Sequence, residues 1–141
     1  RPSIGRKLAR MFATELKPTG FFDGIDLIIP VPIHLFRFLS RGYNQTHYIA
    51  RGISDVTGIE VWDNLRASRP HSAQARKGAE ARRVNAAGTF SVLRPRELAG
   101  RHILVVDDVI TTGSTMVSAL DTIKNAEPSA RLSVLSLALT Y

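Results

Sequence analysis

At 141 residues and 44% hydrophobic content the chain is long enough for one domain with a real core, while no apolar run approaches membrane-spanning length and no signal peptide is visible. Cysteine is absent, which excludes disulfides, thiolate zinc sites and a cysteine nucleophile, and the default expectation is a cytoplasmic protein with no membrane insertion. A net charge of +7 fits a polyanionic ligand, small molecule or nucleic acid, without choosing between them.

The chain opens on Arg1 and Pro2 without a methionine, so it is read as a single domain, residues 1–141, of a fragment or processed protein. Ser3 is expected to cap a first helix, in which Ile4, Leu8, Met11 and Leu16 recur at helical spacing until Pro18 and Gly20 stop it. Residues 25–32 read as a buried strand broken by Pro30 and Pro32, since proline cannot donate to a central ladder. A loop carrying His34, Arg37 and Arg41 follows. Asn44 then opens an amphipathic helix through Ile49, Ile53 and Val56 to Gly58.

Residues 59–65 predict a third strand. From residue 66 to 85 the chain is polar, and Arg66, Arg69, Arg76, Lys77, Arg82 and Arg83 face a single acidic residue, Glu80. Most of the net positive charge therefore sits in this segment. Residues 88–92 return as a short strand, and Glu97 to Gly100 lead into the most informative stretch of the chain.

In that stretch four apolar residues, Ile103, Leu104, Val105 and Val106, read as a central parallel strand buried on both faces. The strand is expected to end on two adjacent carboxylates, Asp107 and Asp108. A small hydroxyl-rich turn of Thr111, Thr112, Gly113, Ser114 and Thr115 then leads into a helix. Gly113 permits a tight turn, and successive N–H groups at a helix start, joined by the hydroxyls, make a nest for a phosphate. Carboxylates beside such a nest would repel the anion itself. They are better explained as acceptors for sugar hydroxyls or as an indirect route, through ligand or water, to a magnesium ion. The implied ligand is a sugar phosphate. The helix after the turn is expected to pack through Met116, Val117, Leu120 and Ile123, and residues 132–139 supply a last core strand. Strands alternating with helices give an α/β domain with a mostly parallel sheet flanked by helices.

The acid pair and its Thr-Thr-Gly-Ser-Thr loop resemble the binding signature of type I phosphoribosyltransferases, which hold phosphoribosyl pyrophosphate. Pro30, Pro32, His34, Arg37 and the run Arg41, Gly42, Tyr43, Asn44, Gln45 are similar to a block of the ComF family, the competence-associated phosphoribosyltransferase-like proteins. Arg66, Arg69, Gln74, Arg82, Asn85 and Phe90 stand at positions corresponding to a second block of that family. The resemblance implies a type I phosphoribosyltransferase fold. It also implies transfer of a phosphoribosyl group, with magnesium, to an unknown nucleophile acceptor with release of pyrophosphate.

In that reading Asp107 and Asp108 are the catalytic acids that hold the ribose hydroxyls, and Thr111, Thr112, Gly113, Ser114 and Thr115 take the 5′-phosphate. His34, Arg37, Arg41, Arg69 and Arg82 act on pyrophosphate, with residues 69–83 as a loop that closes during turnover. Family members typically carry an upstream zinc-binding module, absent from this sequence. The rival expectation is a non-catalytic regulator that kept the sugar-phosphate site and acts on single-stranded DNA or with the competence machinery, because a fold does not settle a function. A homodimer is open on either reading.

Overall fold

The structure is a computed structural model and describes residues 2–32, 45–67 and 90–140. Helix α1 (Pro2–Leu16) is followed by a 3-10 turn, Lys17–Thr19, and strand β1 (Leu27–Pro30). Then come α2 (Gln45–Thr57), β2 (Glu60–Val61), β3 (Leu65–Ala67) and β4 (Phe90–Val92). A 3-10 turn at Pro95–Leu98 precedes β5 (His102–Ile110), α3 (Ser114–Ala126) and β6 (Arg131–Leu139). The main sheet has the order β2-β1-β5-β6 and every pairing in it is parallel, whereas β3 and β4 form a separate antiparallel pair. The α/β class and the mostly parallel sheet expected from the alternating pattern are both present.

β5 lies in the middle because its first half tolerates burial on both faces. Ile103, Leu104, Val105 and Val106 are all fully buried, with alternate side chains entering two cores. Ile103 and Val105 pack with Met116, Ala119 and Ile123 of α3, whereas Leu104 and Val106 pack with Ile49 and Ile53 of α2 and with Ala9 and Ala13 of α1. Among the described residues no helix is long and apolar enough to cross a membrane.

Several expectations are corrected by the packing. Ser3 lies inside α1, which already begins at Pro2, and so does not cap it. The buried side of α1 is its small-residue side, Gly5, Ala9 and Ala13, while Ile4, Leu8 and Met11 are exposed. The cause is close helix contact. A Cβ on Gly52 of α2 would lie 2.4 Å from the Arg6 carbonyl oxygen and 2.7 Å from the Ala9 Cβ, so the two helices meet where neither has bulk. Arg6 reinforces the contact with two hydrogen bonds to the Asp55 carboxylate at 2.7 and 2.8 Å. That pairing holds the Asp55 carboxyl below its usual range.

β1 does end at Pro30, as expected, and Pro30 is still paired with Val106 of the neighbouring central strand. Val31 N–H still donates to the Val106 carbonyl at 2.9 Å, so odd-numbered residues here face β5. The missing N–H of Pro30 then falls on the β2 side, where β2 has already ended at Val61.

The single strand expected over residues 59–65 is two strands, β2 and β3, because fully buried Asn64 turns the chain between them. Its Oδ1 accepts from Arg94 N–H at 2.7 Å, its Nδ2 donates to the Arg94 carbonyl at 3.2 Å, and its carbonyl accepts from Leu93 N–H at 2.8 Å. On α3, Val117 is exposed and Ala119 takes its place, since Met116, Ala119, Leu120 and Ile123 share one side of a 3.6-residue helix.

Candidate functional site

The carboxyl ends of the parallel strands form one rim, the edge at which open α/β sheets bind ligands. β5 reaches further along it than expected: the strand continues to Ile110, so the two acids lie within it and not at its end. The ladder with β6 is nonetheless interrupted at the acids. Asp107 pairs with Ser136 and Val109 with Ala138, and the register has no ladder pair between those two.

The interruption has a local cause. Asp108 Oδ1 accepts from Val109 N–H at 2.8 Å, and Asp107 Oδ1 accepts from Asp108 N–H at 2.8 Å. Each carboxylate thus folds onto the backbone of the next residue, which fixes its rotamer and takes Val109 N–H away from the ladder.

Their electrostatics follow from position. Partial burial, together with the adjacent Asp108 carboxylate, pushes the Asp107 carboxyl up to about 6, against the opposing pull of the Asp108 N–H. Thr46, fully buried in the first turn of α2, places its Oγ1 3.5 Å from Asp107 Oδ1. An acid poised near neutrality at the mouth of a parallel sheet accepts hydroxyl hydrogen bonds when ionised and donates one when protonated.

Past the acids, Gly113 adopts φ 85, a left-handed conformation, at the start of α3. A Cβ there would meet nothing within 4 Å, so backbone conformation and not space calls for glycine. The first intrahelical bond runs from Val117 N–H to the Gly113 carbonyl at 2.8 Å, so the N–H groups of Thr115 and Met116 point out of the helix end, while Ser114 N–H donates to Thr112 Oγ1 at 3.3 Å. The Thr112 and Ser114 hydroxyls lie 3.0 Å apart, and Thr111, Thr112, Ser114 and Thr115 are all exposed. A turn of donors at a helix start, directly after two carboxylates, matches an anionic group linked to a polyol.

Of the residues singled out in the sequence, Asp107, Asp108, Thr111, Thr112, Gly113, Ser114 and Thr115 are therefore contiguous along one rim. His34, Arg37, Arg41, Arg69 and Arg82 lie outside the described residues, as do Gln74 and Asn85. The described neighbours of the first basic segment, Pro32 after β1 and Gln45 at the start of α2, flank the same rim. Sequence reasoning missed Thr46, since a threonine next to a Gln carries no mark of its burial under a carboxylate. It also missed His47, whose Nδ1 lies 3.3 Å from Asp63 Oδ1 and whose Nε2 accepts from Arg51 Nε at 2.9 Å. Those groups line a separate polar cleft between α1, α2 and β2 that does not include the acid pair.

Residues 40–139 match the profile of the phosphoribosyl transferase domain. The chain belongs to that family. Among curated relatives, the chain is 36% identical over 118 residues to Competence protein F of Haemophilus influenzae, covering 80% of this chain and 52% of that protein. It is 30% identical over 121 residues to the DNA utilization protein YhgH of Escherichia coli K12, covering 82% of this chain and 52% of that protein. The chain thus spans about half the length of the curated relatives it matches, and the expected likeness to competence-associated proteins is present in their names.

Among solved structures, the fold superposes on glutamine phosphoribosylpyrophosphate amidotransferase from B. subtilis with a TM-score of 0.68 at 19% identity, covering 96% of this chain and 26% of that one. An adenine phosphoribosyltransferase gives a TM-score of 0.60 at 18% identity, covering 99% and 72%. These neighbours establish the type I phosphoribosyltransferase fold for the domain. Arg41, Arg69, Arg82, both acids and residues 111–115 fall inside the matched family region, whereas His34 and Arg37 precede it.

Proposed function

We propose that the domain binds phosphoribosyl pyrophosphate with magnesium and transfers the phosphoribosyl group to a nucleophile, releasing pyrophosphate. The observation that carries this reading is the unbroken order along β5 and α3: two backbone-pinned carboxylates, then a left-handed glycine, then outward N–H groups of a helix start. In this scheme Asp107 and Asp108 hold the ribose hydroxyls, and residues 111–115 hold the 5′-phosphate. His34, Arg37, Arg41, Arg69 and Arg82 stabilise the pyrophosphate that departs with the C1–O electron pair as the acceptor bonds to C1.

The donor set fits an indirectly held magnesium ion. Among the described residues no cluster of three or more His, Asp or Glu is placed to cage a metal, and magnesium characteristically binds one or two carboxylates plus substrate phosphates and water. When bound, the ion would neutralise pyrophosphate charge. Asp107 and Asp108 are the residues of this chain that would face it through ligand or water.

The test is calorimetric titration of phosphoribosyl pyrophosphate, with and without magnesium, into the chain and into Asp107→Asn/Asp108→Asn. The amide retains an oxygen that can accept from the next backbone N–H, so the substitution removes charge while leaving the local backbone held. Magnesium-dependent binding by the chain and its loss in the variant are expected. No binding at millimolar ligand would overturn the reading.

The names Competence protein F and DNA utilization protein favour a second reading, in which the site is retained in a regulator that acts on single-stranded DNA. Binding through the basic segment of residues 66–85 would then weaken steeply with added salt and would not need the acid pair.

A further inference from the structure

The cleft between α1, α2 and β2 has a volume of about 260 Å³, room for about eight waters, and it does not include the acid pair. His47, Arg51 and Ser54 recur at intervals of four and three, so they share the side of α2 that lines it. The opposite wall is Glu60, Val61 and Asp63, from β2 and the residues that follow it. Among the described residues no aromatic side chain lines the cleft, and it is smaller and more polar than the pockets that enclose nucleobases or other large ligands.

Arg6 and Asp55 satisfy each other through two hydrogen bonds at 2.7 and 2.8 Å, which leaves the other charged groups to meet a ligand. Arg51 Nε donates to His47 Nε2 at 2.9 Å, so the imidazole carries its proton on Nδ1, which faces Asp63 Oδ1 at 3.3 Å. The relay engages Arg51 through its Nε alone. The two terminal nitrogens of its guanidinium, with the Ser54 hydroxyl, are then the donors of the α2 wall. On the facing wall Glu60 has one oxygen engaged by the Trp62 indole N–H, and its other oxygen and the Asp63 carboxylate are the acceptors.

That polarity selects the ligand. A phosphate or other polyanion would meet Glu60 and Asp63, and a bare cation would meet Arg51. Arg6 and Arg51 against Asp55, Glu60 and Asp63 leave a single net negative charge, so a molecule that carries both signs is the best match. We propose that this cleft binds a free α-amino acid, with its carboxylate on the Arg51 guanidinium and the Ser54 hydroxyl, its ammonium between Glu60 and Asp63, and its α-carbon against Val61. A guanidinium takes a carboxylate through parallel N–H donors, and an ammonium has three donors to divide between two carboxylates.

The cleft is distinct from the sugar-phosphate rim but is built on the same helix. Thr46 places its Oγ1 3.5 Å from Asp107 Oδ1, and the next residue, His47, belongs to the cleft wall. The cleft needs nothing from the rim to take its ligand, so amino-acid binding and sugar-phosphate binding can be measured apart.

Saturation-transfer NMR tests the chain against the common L-amino acids, acetate, methylammonium and inorganic phosphate. At least one amino acid should bind with a dissociation constant below about 10 mM, and each single-charge probe should bind at least about tenfold more weakly. Resonances of the His47 ring should shift on binding, since the imidazole bridges the two walls. Arg51→Gln and Asp63→Asn should each raise the dissociation constant at least about tenfold. Arg96→Gln, the same loss of charge on an exposed turn outside the cleft lining, should leave it unchanged. Circular dichroism of the variants should not change, because Arg51 and Asp63 are exposed. The proposal is overturned if no amino acid binds, if acetate, methylammonium or phosphate binds as tightly as the best amino acid, or if both cleft variants bind as the unaltered chain does. Should a variant fail to fold, the His47 shift in the unaltered chain decides, and an amino acid that binds without moving it overturns the assignment to this cleft.

Discussion

The two halves of β5 obey different rules within one strand. Residues 103–106 are fully buried and apolar and keep an unbroken ladder on both sides, so they contribute to stability. Residues 107–110 are partly exposed. They divert a main-chain N–H to a side chain, skip a pairing with β6, and carry an acid whose ionisation the fold opposes. The change occurs between Val106 and Asp107, where full burial gives way to partial exposure. A strand can therefore be a packed core element at its root and a polar, partly exposed edge at its tip.

The largest effect should come from the root. Leu104→Ala removes a fully buried side chain between α2 and the sheet, and should lower unfolding free energy by about 3 kcal/mol in urea titrations. A loss under about 1 kcal/mol would mean that the two halves are not as different as their burial indicates.

Asp107→Asn should act in the opposite direction. The Asp107 carboxyl titrates at about 6 in the fold, against about 3.9 in an unfolded chain. A raised folded value means that the stability linked to this group is fully present below about pH 4 and is lost as pH rises through about 6. The amide abolishes that loss. After a discount for partial exposure, Asp107→Asn should stabilise the domain by about 1–2 kcal/mol near pH 8 and by nothing near pH 4. Thermal melts at the two pH values check it, and a destabilised variant at both would place Asp107 with the root instead of the tip.

Gly113→Ala, just beyond the tip, should cost about 1 kcal/mol through its left-handed φ of 85, with no steric clash to add to it. The same urea titration measures it. A cost above about 3 kcal/mol would show that the loop is held as rigidly as the core.

Much of this contrast was legible before any coordinates. Ile103 to Val106 announce a doubly buried strand because four consecutive β-branched or leucine residues have no polar side to present. Asp107, Asp108 and Gly113 announce a site because they break that pattern in a chemically coherent order. α2 was equally readable, since Ile49 and Ile53 lie one turn apart and Gly58 ends the helix.

α1 was misread for an instructive reason. Hydrophobic periodicity weighs large residues, whereas the α1–α2 contact selects small ones. Gly5, Ala9 and Ala13 are invisible to that measure, and Gly52 gives no sign of the helix that lies 2.4 Å from where its Cβ would be. Asn64 was missed because its three hydrogen bonds join it to residues about thirty positions away.

By itself the sequence determined what local order can encode: the alternation that makes an α/β sheet, the buried root of β5, and the acid pair leading into a glycine turn. These depend on residues within one or two turns of each other. The tertiary structure alone decided which side of α1 is buried, that Pro30 can close a central strand, that Thr46 lies under Asp107, and that among the described residues β6 pairs on one side only. Each of these is a relation between segments far apart in the chain. Burial, ladder partners and the ionisation of Asp107 exist only once those segments meet.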